Sequence, residues 1–404
     1  MKAEVLVVSS VFPRWEGDAA PPFVQNLCEL MAKDGWEIHV LLPHAAEARF
    51  REQVNGLQVT RFPYFFPLGL QTLCYGGGIL INLRNRPWTR LLLPFFFCSQ
   101  IIALFYLCLR RRPDLIHSHS LLPQGLSVAL VARLFRIPHV TTSHGNDVFG
   151  LKPTGLMGRL KRYVLASADA ITVNSSATRN AVENLDADPS KISLIPAVAN
   201  EGEVQADLLN EIKTKYEPSR ILLFVGRLIE EKGILELLRA FAILSKEDTH
   251  LHCLIVGDGP LKPEAEQLAG TLEINSKIEF LGWRPREEIP SWMSAADLLI
   301  VPSRETNGWQ EAQGLVVVEA MAVGTPIVAS RLGGIPDMVI DGETGFLFDP
   351  NSTNGLLEAM RKALSSDLGP QIRLSQKELY SSKFKGSVIA KTTSELYESL
   401  RNHS

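Results

Sequence analysis

The 404-residue chain lacks most of the features that would narrow its chemistry at once. It has only five cysteines, Cys28, Cys74, Cys98, Cys108 and Cys253, an odd number with no Cys-x-x-Cys pair. That argues against a zinc site or a disulfide framework and fits a reducing cytoplasm. It also lacks an excess of either charge: 41 Lys and Arg stand against 44 Asp and Glu, a net −3. Without a global basic field, nucleic acid is not an expected partner. The N-terminus, Met1 to Val8, carries Glu4 and only four consecutive apolar residues, a poor signal peptide but a good buried strand. No Gly-x-Gly-x-x-Gly string occurs. The only Asp-x-Asp, Asp186-Ala187-Asp188, precedes Pro189 in a polar stretch and reads as a surface turn, so no metal is expected.

What is present is a folded composition, with 46% hydrophobic and 21% charged residues. The length exceeds what one core usually supports, so two domains are expected. Strand signals at Val5–Ser9, Glu37–Leu42, Val59–Phe62, Asp114–His117, His139–Ser143 and Ala170–Val173 alternate with helix signals at Phe23–Lys33, Gly125–Phe135 and Met157–Ser167. Asn174-Ser175-Ser176 offers a helix N-cap. Asn200–Pro218 is polar and acidic and reads as the handover. A second alternation starts at Ile221, with strands at Ile221–Val225, His252–Val256, Lys277–Phe280, Leu298–Val301, Pro326–Ala329 and Gly345–Phe348. Its helices are Ile234–Leu244, Ile289–Ala295, Val316–Ala322, Thr353–Ser365 and Ser387–Leu400. The pattern predicts an α/β protein of two doubly wound, Rossmann-like domains, at 1–200 and 218–383. A closing helix within 384–404 is a candidate to pack back on the first. Ligands are expected at the carboxyl ends of the strands, in a cleft between the domains.

One long apolar run interrupts this pattern. Leu91–Leu109 is broken only by Pro94, Ser99 and Gln100, and Arg110-Arg111-Arg112 follows. About 20 apolar residues can span a bilayer, but a span would strand residues 1–87 away from the rest of one sheet. Two readings remain. One is a buried helix. The other is a peripheral membrane contact through 91–112, with Phe95, Phe96 and Phe97 at the surface and the arginines near anionic lipid, on the inner face of the plasma membrane.

The strand ends carry the candidate chemistry. Arg227 and Lys232, in Gly226-Arg227-Leu228-Ile229-Glu230-Glu231-Lys232-Gly233, form a diphosphate clamp or else an ion pair with Glu230 or Glu231. Val256-Gly257-Asp258-Gly259-Pro260 is a tight turn. In Glu311-Ala312-Gln313-Gly314-Leu315-Val316-Val317-Val318-Glu319, Gly314 marks a loop-to-helix transition. The amides of Gly314, Leu315 and Val316 are then free for phosphate oxygens. Glu319 sits one turn on, within reach of a ribose or simply exposed, and Glu311 lies in the loop ahead. His144 follows a strand in Ser143-His144-Gly145-Asn146-Asp147. His117 and His119 are weaker candidates.

These motifs together resemble the retaining nucleotide-sugar glycosyltransferases of family 4, which have the GT-B fold. G-R-x-x-x-x-K-G at 226–233 is similar to the family's diphosphate motif, and Glu311 and Glu319 to its E-x7-E pair. V-G-D-G-P at 256–260, L-G-W at 281–283, Ala320 to Gly334 and Asp341 to Gly345 follow in family order. The resemblance implies a donor-binding C-terminal domain and an acceptor-binding N-terminal one. Arg227 and Lys232 would hold the diphosphate with the amides at 314–316, Glu319 the ribose, and Glu311 the sugar hydroxyls. Trp283 and Arg284 would frame the base, Gly257 would line the donor site, and His144 would lie beside the sugar. The implied co-substrate is a nucleoside diphosphate sugar, without metal because the two cations neutralise the diphosphate. The acceptor would be a saccharide, suited to a lipid-linked form, attacked on the front face with retention. Two departures stand out. The first loop, Phe12–Ala20, has Gly17 where the family often has a glycine pair, and 305–310 departs from the commoner short form. A nucleotide-sugar epimerase and a non-catalytic sugar binder are alternatives on the same architecture.

Overall fold

A computed structural model describes residues 3–402 except Glu16, Ala19, Asn307 and 366–368. Glu16 and Ala19 of the first loop and Asn307 of the later one therefore lie outside the described residues. The chain divides into two units, Met1–Val198 with Gly386–Ser404, and Ala199–Lys385.

The first unit is built on an eight-stranded sheet. Its strands are β1 Glu4–Val8, β2 Glu37–Pro43, β3 Arg51–Val54, β4 Leu57–Phe62, β5 Leu115–His119, β6 His139–Ser143, β7 Ala170–Val173 and β8 Ile192–Leu194. Their order is β3-β4-β2-β1-β5-β6-β7-β8, parallel throughout except for β3 with β4. That antiparallel edge was not expected. Asn55 and Gly56 both have positive φ and close a two-residue hairpin between Val54 and Leu57, so the Asn-Gly pair was the available signal.

Alternate residues of β1 go to opposite faces. Val5 and Val7 join Val24, Cys28, Met31, Ala390 and Tyr397. Leu6 and Val8 join Phe62, Phe96, Leu104 and Cys108. The final helix, Gly386–Asn402, thus completes the core of the first unit. Trp36 Nε1–H donates to Ser394 Oγ at 2.9 Å, and the Tyr397 ring meets Trp36 edge-on.

The apolar run forms the helix Leu92–Arg111, which is buried along one stripe and exposed along the other. One stripe, Leu92, Phe96, Gln100, Leu104, Leu107 and Cys108, is buried. Burying its large apolar side chains stabilises by about 1.5–3 kcal/mol each. The opposite stripe, Phe95, Ile102, Phe105, Tyr106 and Leu109, is exposed. Phe96 was expected at the surface with Phe95 and Phe97, but it is fully buried between the rings of Phe62 and Tyr64. Among the described residues this is the one helix long and apolar enough to cross a membrane.

The second unit has six parallel strands: β9 Arg220–Val225, β10 Leu251–Val256, β11 Ile278–Gly282, β12 Leu298–Val301, β13 Ile327–Ser330 and β14 Phe346–Phe348. The order β11-β10-β9-β12-β13-β14 is that of a dinucleotide-binding sheet, with its switch point between β9 and β12. Apolar residues of β9 and β10 again divide between two clusters, one on each face. Asn200–Pro218 is no linker. It holds a helix, Ala206–Tyr216, whose Ile212 and Tyr216 are buried in this unit. Its apolar positions are few, which hid it. The helix Lys262–Thr271 and the helix Gly369–Leu379 were also missed, their periodicity being weak among charged residues.

Tyr397→Ala is expected to destabilise the first unit by about 3–5 kcal/mol, read from its denaturant-unfolding transition. A change under about 1 kcal/mol would show that the final helix is dispensable to that core.

Candidate functional site

Three loops at the carboxyl end of the second sheet are laced together through their backbones. Gly226 N–H donates to Val256 O, Leu228 N–H to Asp258 O, and Leu261 N–H to Leu228 O, at 2.9–3.0 Å. Gly257 N–H reaches Gly282 O at 2.8 Å. A Cβ on Gly257 would stand 1.9 Å from the Gly226 carbonyl oxygen, and one on Gly233 1.9 Å from Pro302 O. Both residues also have positive φ. These glycines let the loop bearing Arg227 and Lys232 lie flat against its neighbours, so the position of Gly257 is accounted for by packing alone.

The two cations differ. Arg227 is exposed and makes no ion pair among the described residues. Lys232 Nζ lies 2.5 Å from Glu311 Oε2, and not in a pair with Glu230 or Glu231. Ser303 Oγ donates to the same oxygen at 3.1 Å. The Glu311 backbone is held from the other side, where Gly334 N–H donates to its carbonyl at 2.9 Å. Gly333 packs so closely that a Cβ would fall 1.8 Å from that oxygen. Both of these side-chain bonds fall on Oε2. Trp309 lies beside this pair, its ring centroid 5.6 Å from Lys232 Nζ.

Gly314, at φ 84°, starts the helix Leu315–Val323 without a side-chain cap. Its first-turn amides, those of Leu315 and Val316, have no intrahelical acceptors and carry the positive end of the helix dipole. Glu319 is the only polar residue in that helix. By area it is partly exposed, yet the protein around its carboxyl group is dense enough that desolvation pushes its pKa up to about 7. The Asn200 N–H, 3.4 Å away, and Arg286 oppose that shift. Glu319 is therefore neither a plain surface residue nor a fully paired one. Trp283 is 62% exposed just past β11. Arg284 lies over the Trp292 ring, with a buried Nε lacking a partner.

Of the residues singled out in the sequence, the structure brings Lys232, Glu311 and Gly314 together, while Glu319 lies further along the helix beside Asn200 and Arg286. The sequence did not reveal Ser303, Asn200 or Arg286. Ser303 stands two residues past β12, a strand-end position that could have marked it. The other two reach the site from distant segments and carry no local signal.

Two family descriptions match the chain, glycosyl transferases group 1 over residues 206–378 and glycosyl transferase 4-like domain over 19–197. An uncharacterised glycosyltransferase of Methanocaldococcus jannaschii is 32% identical over 289 residues, covering 71% of this chain and 76% of that protein. The chain belongs to the group 1 glycosyltransferases. A putative teichuronic acid biosynthesis glycosyltransferase of Bacillus subtilis is 26% identical, covering 89% of this chain and 88% of its own. The structure of Anabaena HepE in complex with UDP-glucose matches at TM-score 0.71 and 19% identity, over 98% and 99% of the two chains. The fold is GT-B, with a parallel-sheet α/β unit in each half.

In the first unit of this glycosyltransferase, the loop after β1 is organised by Arg14 and Asp18. The guanidinium makes two bonds to the carboxylate, at 2.8 and 2.7 Å, and stacks on Trp15 and Tyr75. Arg14 holds the Asp18 carboxyl below its usual range against the opposing effect of burial. Buried Arg61 ties the loop down through the carbonyls of Pro13 and Arg14. Gly17 is exposed at φ 78°, with open space where a Cβ would be. At the ends of β5 and β6, His119 Nδ1 and His144 Nε2 lie 2.9 Å apart. Burial pushes the His144 pKa down to about 4 and that of His119 well below its ordinary value, so both are neutral near pH 7 and one donates to the other. Phe23 packs on His144. His117 is spoken for: its ring nitrogens bond Tyr397 and Thr142 inside the core, which reads as structural.

The raised pKa of Glu319 fixes the sign of a pH effect. Between about 4.5, its unperturbed value, and about 7, the folded state holds a proton that the unfolded state has lost. Stability from this group therefore falls as pH rises through that window. Glu319→Gln should remove this component, so that the ligand-free variant gains in Tm on wild type from pH 4.5 to 8. Parallel Tm–pH curves for the two proteins would refute it.

Proposed function

We propose that this glycosyltransferase moves a hexose-type sugar from a nucleoside diphosphate sugar to an acceptor hydroxyl, with retention at the anomeric carbon. The observation that carries the donor assignment is the Lys232–Glu311 pair set at the uncapped N-terminus of the helix Leu315–Val323. An anion-binding helix end, a cation and a hydroxyl-accepting carboxylate are what a sugar diphosphate requires side by side. Arg227 and Lys232 would take the diphosphate with the amides of Gly314, Leu315 and Val316. Glu311, through Oε1, would accept sugar hydroxyls, and Glu319 would accept from the ribose once ionised. The exposed indole of Trp283, with Arg284, suits a base. HepE's UDP-glucose complex supports a donor of this class.

Bond breaking leaves negative charge on the departing phosphate. Fixed cations and amides stabilise that charge without reorganising. In the proposed front-face reaction, the acceptor oxygen bonds to the anomeric carbon as the C–O bond to phosphate breaks. The phosphate oxygen takes the acceptor's proton. Two cations suffice for the diphosphate, so the reaction is proposed to need no metal. Neutral His144, oriented by His119, would bond a sugar hydroxyl. Gly17 would approach the phosphates through its backbone, and Gly257 would act by keeping the clamp loop flat. The acceptor is proposed to be a saccharide on a lipid carrier, handled at the membrane, consistent with the envelope-polymer relative in Bacillus.

Calorimetric titration with nucleoside diphosphates should find micromolar-class binding for at least one base. Lys232→Ala and Arg227→Ala should each lower transfer by about a hundredfold or more, with melting temperature unchanged in Arg227→Ala and lowered in Lys232→Ala, where Glu311 loses its cation. Near-wild-type turnover in both variants would sink the clamp. Conversion of labelled donor to another sugar without any acceptor would identify an epimerase instead.

A further inference from the structure

The net charge of −3 hides a segregation. Residues 53–168, all in the first unit, contain thirteen Lys and Arg against two acids, Asp114 and Asp147, a net +11. The remainder of the chain is correspondingly at −14. Among the described residues, the same segment holds thirteen of the twenty-one exposed large hydrophobic side chains. Cationic charge and exposed apolar surface thus coincide.

They coincide on the helix Leu92–Arg111. Its outward stripe runs Phe95, Cys98, Ile102, Phe105, Tyr106 and Leu109, at spacings of three and four, without a charge. Exposed arginines bracket it, Arg84, Arg86 and Arg90 before and Arg110 and Arg112 after. The neighbouring helix Leu126–Phe135 meets it through the Phe105 and Phe135 rings, and exposes Leu130, Arg133 and Leu134. An apolar strip framed by arginine with no carboxylate among them suits an interface of lipid tails and anionic headgroups. A second copy of this chain would have to bring its own acidic rim to the same strip, and the strip supplies none.

We infer that this two-helix face docks on an anionic bilayer, with the helix Leu92–Arg111 lying in the plane of the membrane. It does not cross. Its inner stripe belongs to the sheet core, and Arg111 is bonded to Glu4 and Gln58 of the same unit. The inference deepens the lipid-carrier reading of the acceptor and rests on it only for purpose, since vesicle binding is read without donor or transfer.

Cys98 is the one exposed cysteine of the five and stands on the outward stripe. It is a built-in reporter. The full chain should co-sediment with vesicles of equimolar phosphatidylglycerol and phosphatidylcholine, and Cys98 should then be shielded from a membrane-impermeant maleimide. Binding to phosphatidylcholine alone should be about tenfold weaker or more. The triple variant Phe95→Ser, Ile102→Ser, Leu109→Ser should lose binding by at least about tenfold, with melting temperature and nucleotide binding kept. Arg110→Ala with Arg112→Ala should erase the preference for phosphatidylglycerol. Wild-type binding that survives the triple variant, no vesicle binding, or a Cys98 as reactive on vesicles as in solution would each overturn the inference. So would a dimer that the triple variant dissolves, because a second copy would then be the occupant. If transfer activity proved absent while vesicle binding held, the acceptor reading would fail and the docking face would stand.

Discussion

Gly257 has no room for a side chain, and much of the loop edge of the second unit follows from that. Parallel strands end at one edge of a sheet, and their loops must share the space above it. Here the loops after β9 and β10 pack backbone on backbone, with Gly257 against the Gly226 carbonyl and Gly233 against that of Pro302. Carbonyl and amide groups that would otherwise need water bond each other across the seam. This flat seam sets the height of Lys232. Gly333 does the same for Glu311 from the opposite side. The site is thus positioned by close approaches of main chain, and its charged side chains are short extensions of a rigid frame.

That frame gives two glutamates eight residues apart opposite electrostatic lives. Glu311 is buried but spends its charge on Lys232 and Ser303. Glu319 meets one long amide bond and an arginine, which do not make up for lost water. A carboxylate so placed gains from hydroxyl donors brought by a ligand, because they restore the hydrogen bonds that burial removed. Lys232 shows the complementary case. Its partner is Glu311, so under the proposed reading a diphosphate would have to compete for that cation. Arg227, with no ion pair among the described residues, would need no such exchange.

Legibility in the sequence followed how local each determinant was. The strands β6, β7 and β12 and the helices Phe23–Lys33 and Ile289–Ala295 were read with their observed ends, since periodicity and bounding turn residues lie within the segment itself. The hairpin at Asn55-Gly56 was also local, but its strand β3 is half-exposed and has little apolar signal. The helix Ala206–Tyr216 was lost because only Ile212 and Tyr216 are fully buried, with Leu208 and Leu209 packing partly exposed beside them. In the site, Arg227, Lys232, Glu311 and Gly314 were legible as strand-end and helix-start residues. That Lys232 pairs with Glu311, 79 positions away, was not, because the pairing depends on β9 and β12 being adjacent. The bonding of His119 to His144 likewise depends on β5 and β6 being neighbours.

The summed net charge is uninformative for a related reason. A total near zero says nothing about arrangement, and interactions at a charged surface fade within about 8–10 Å at ordinary salt. What a membrane would read is the local field, which near the helix Leu92–Arg111 comes mainly from the exposed Arg84, Arg86, Arg90, Arg110 and Arg112, while Arg111 is paired with Glu4. An all-apolar helix has two stable settings, wholly within protein or partly in lipid. This one is fastened by its inner stripe, so insertion of the outer stripe costs no unfolding. The depth it can reach is limited to the side chains of that stripe, because the sheet behind it stays in water. The same fastening that keeps Phe96 in the core would therefore keep the proposed contact peripheral.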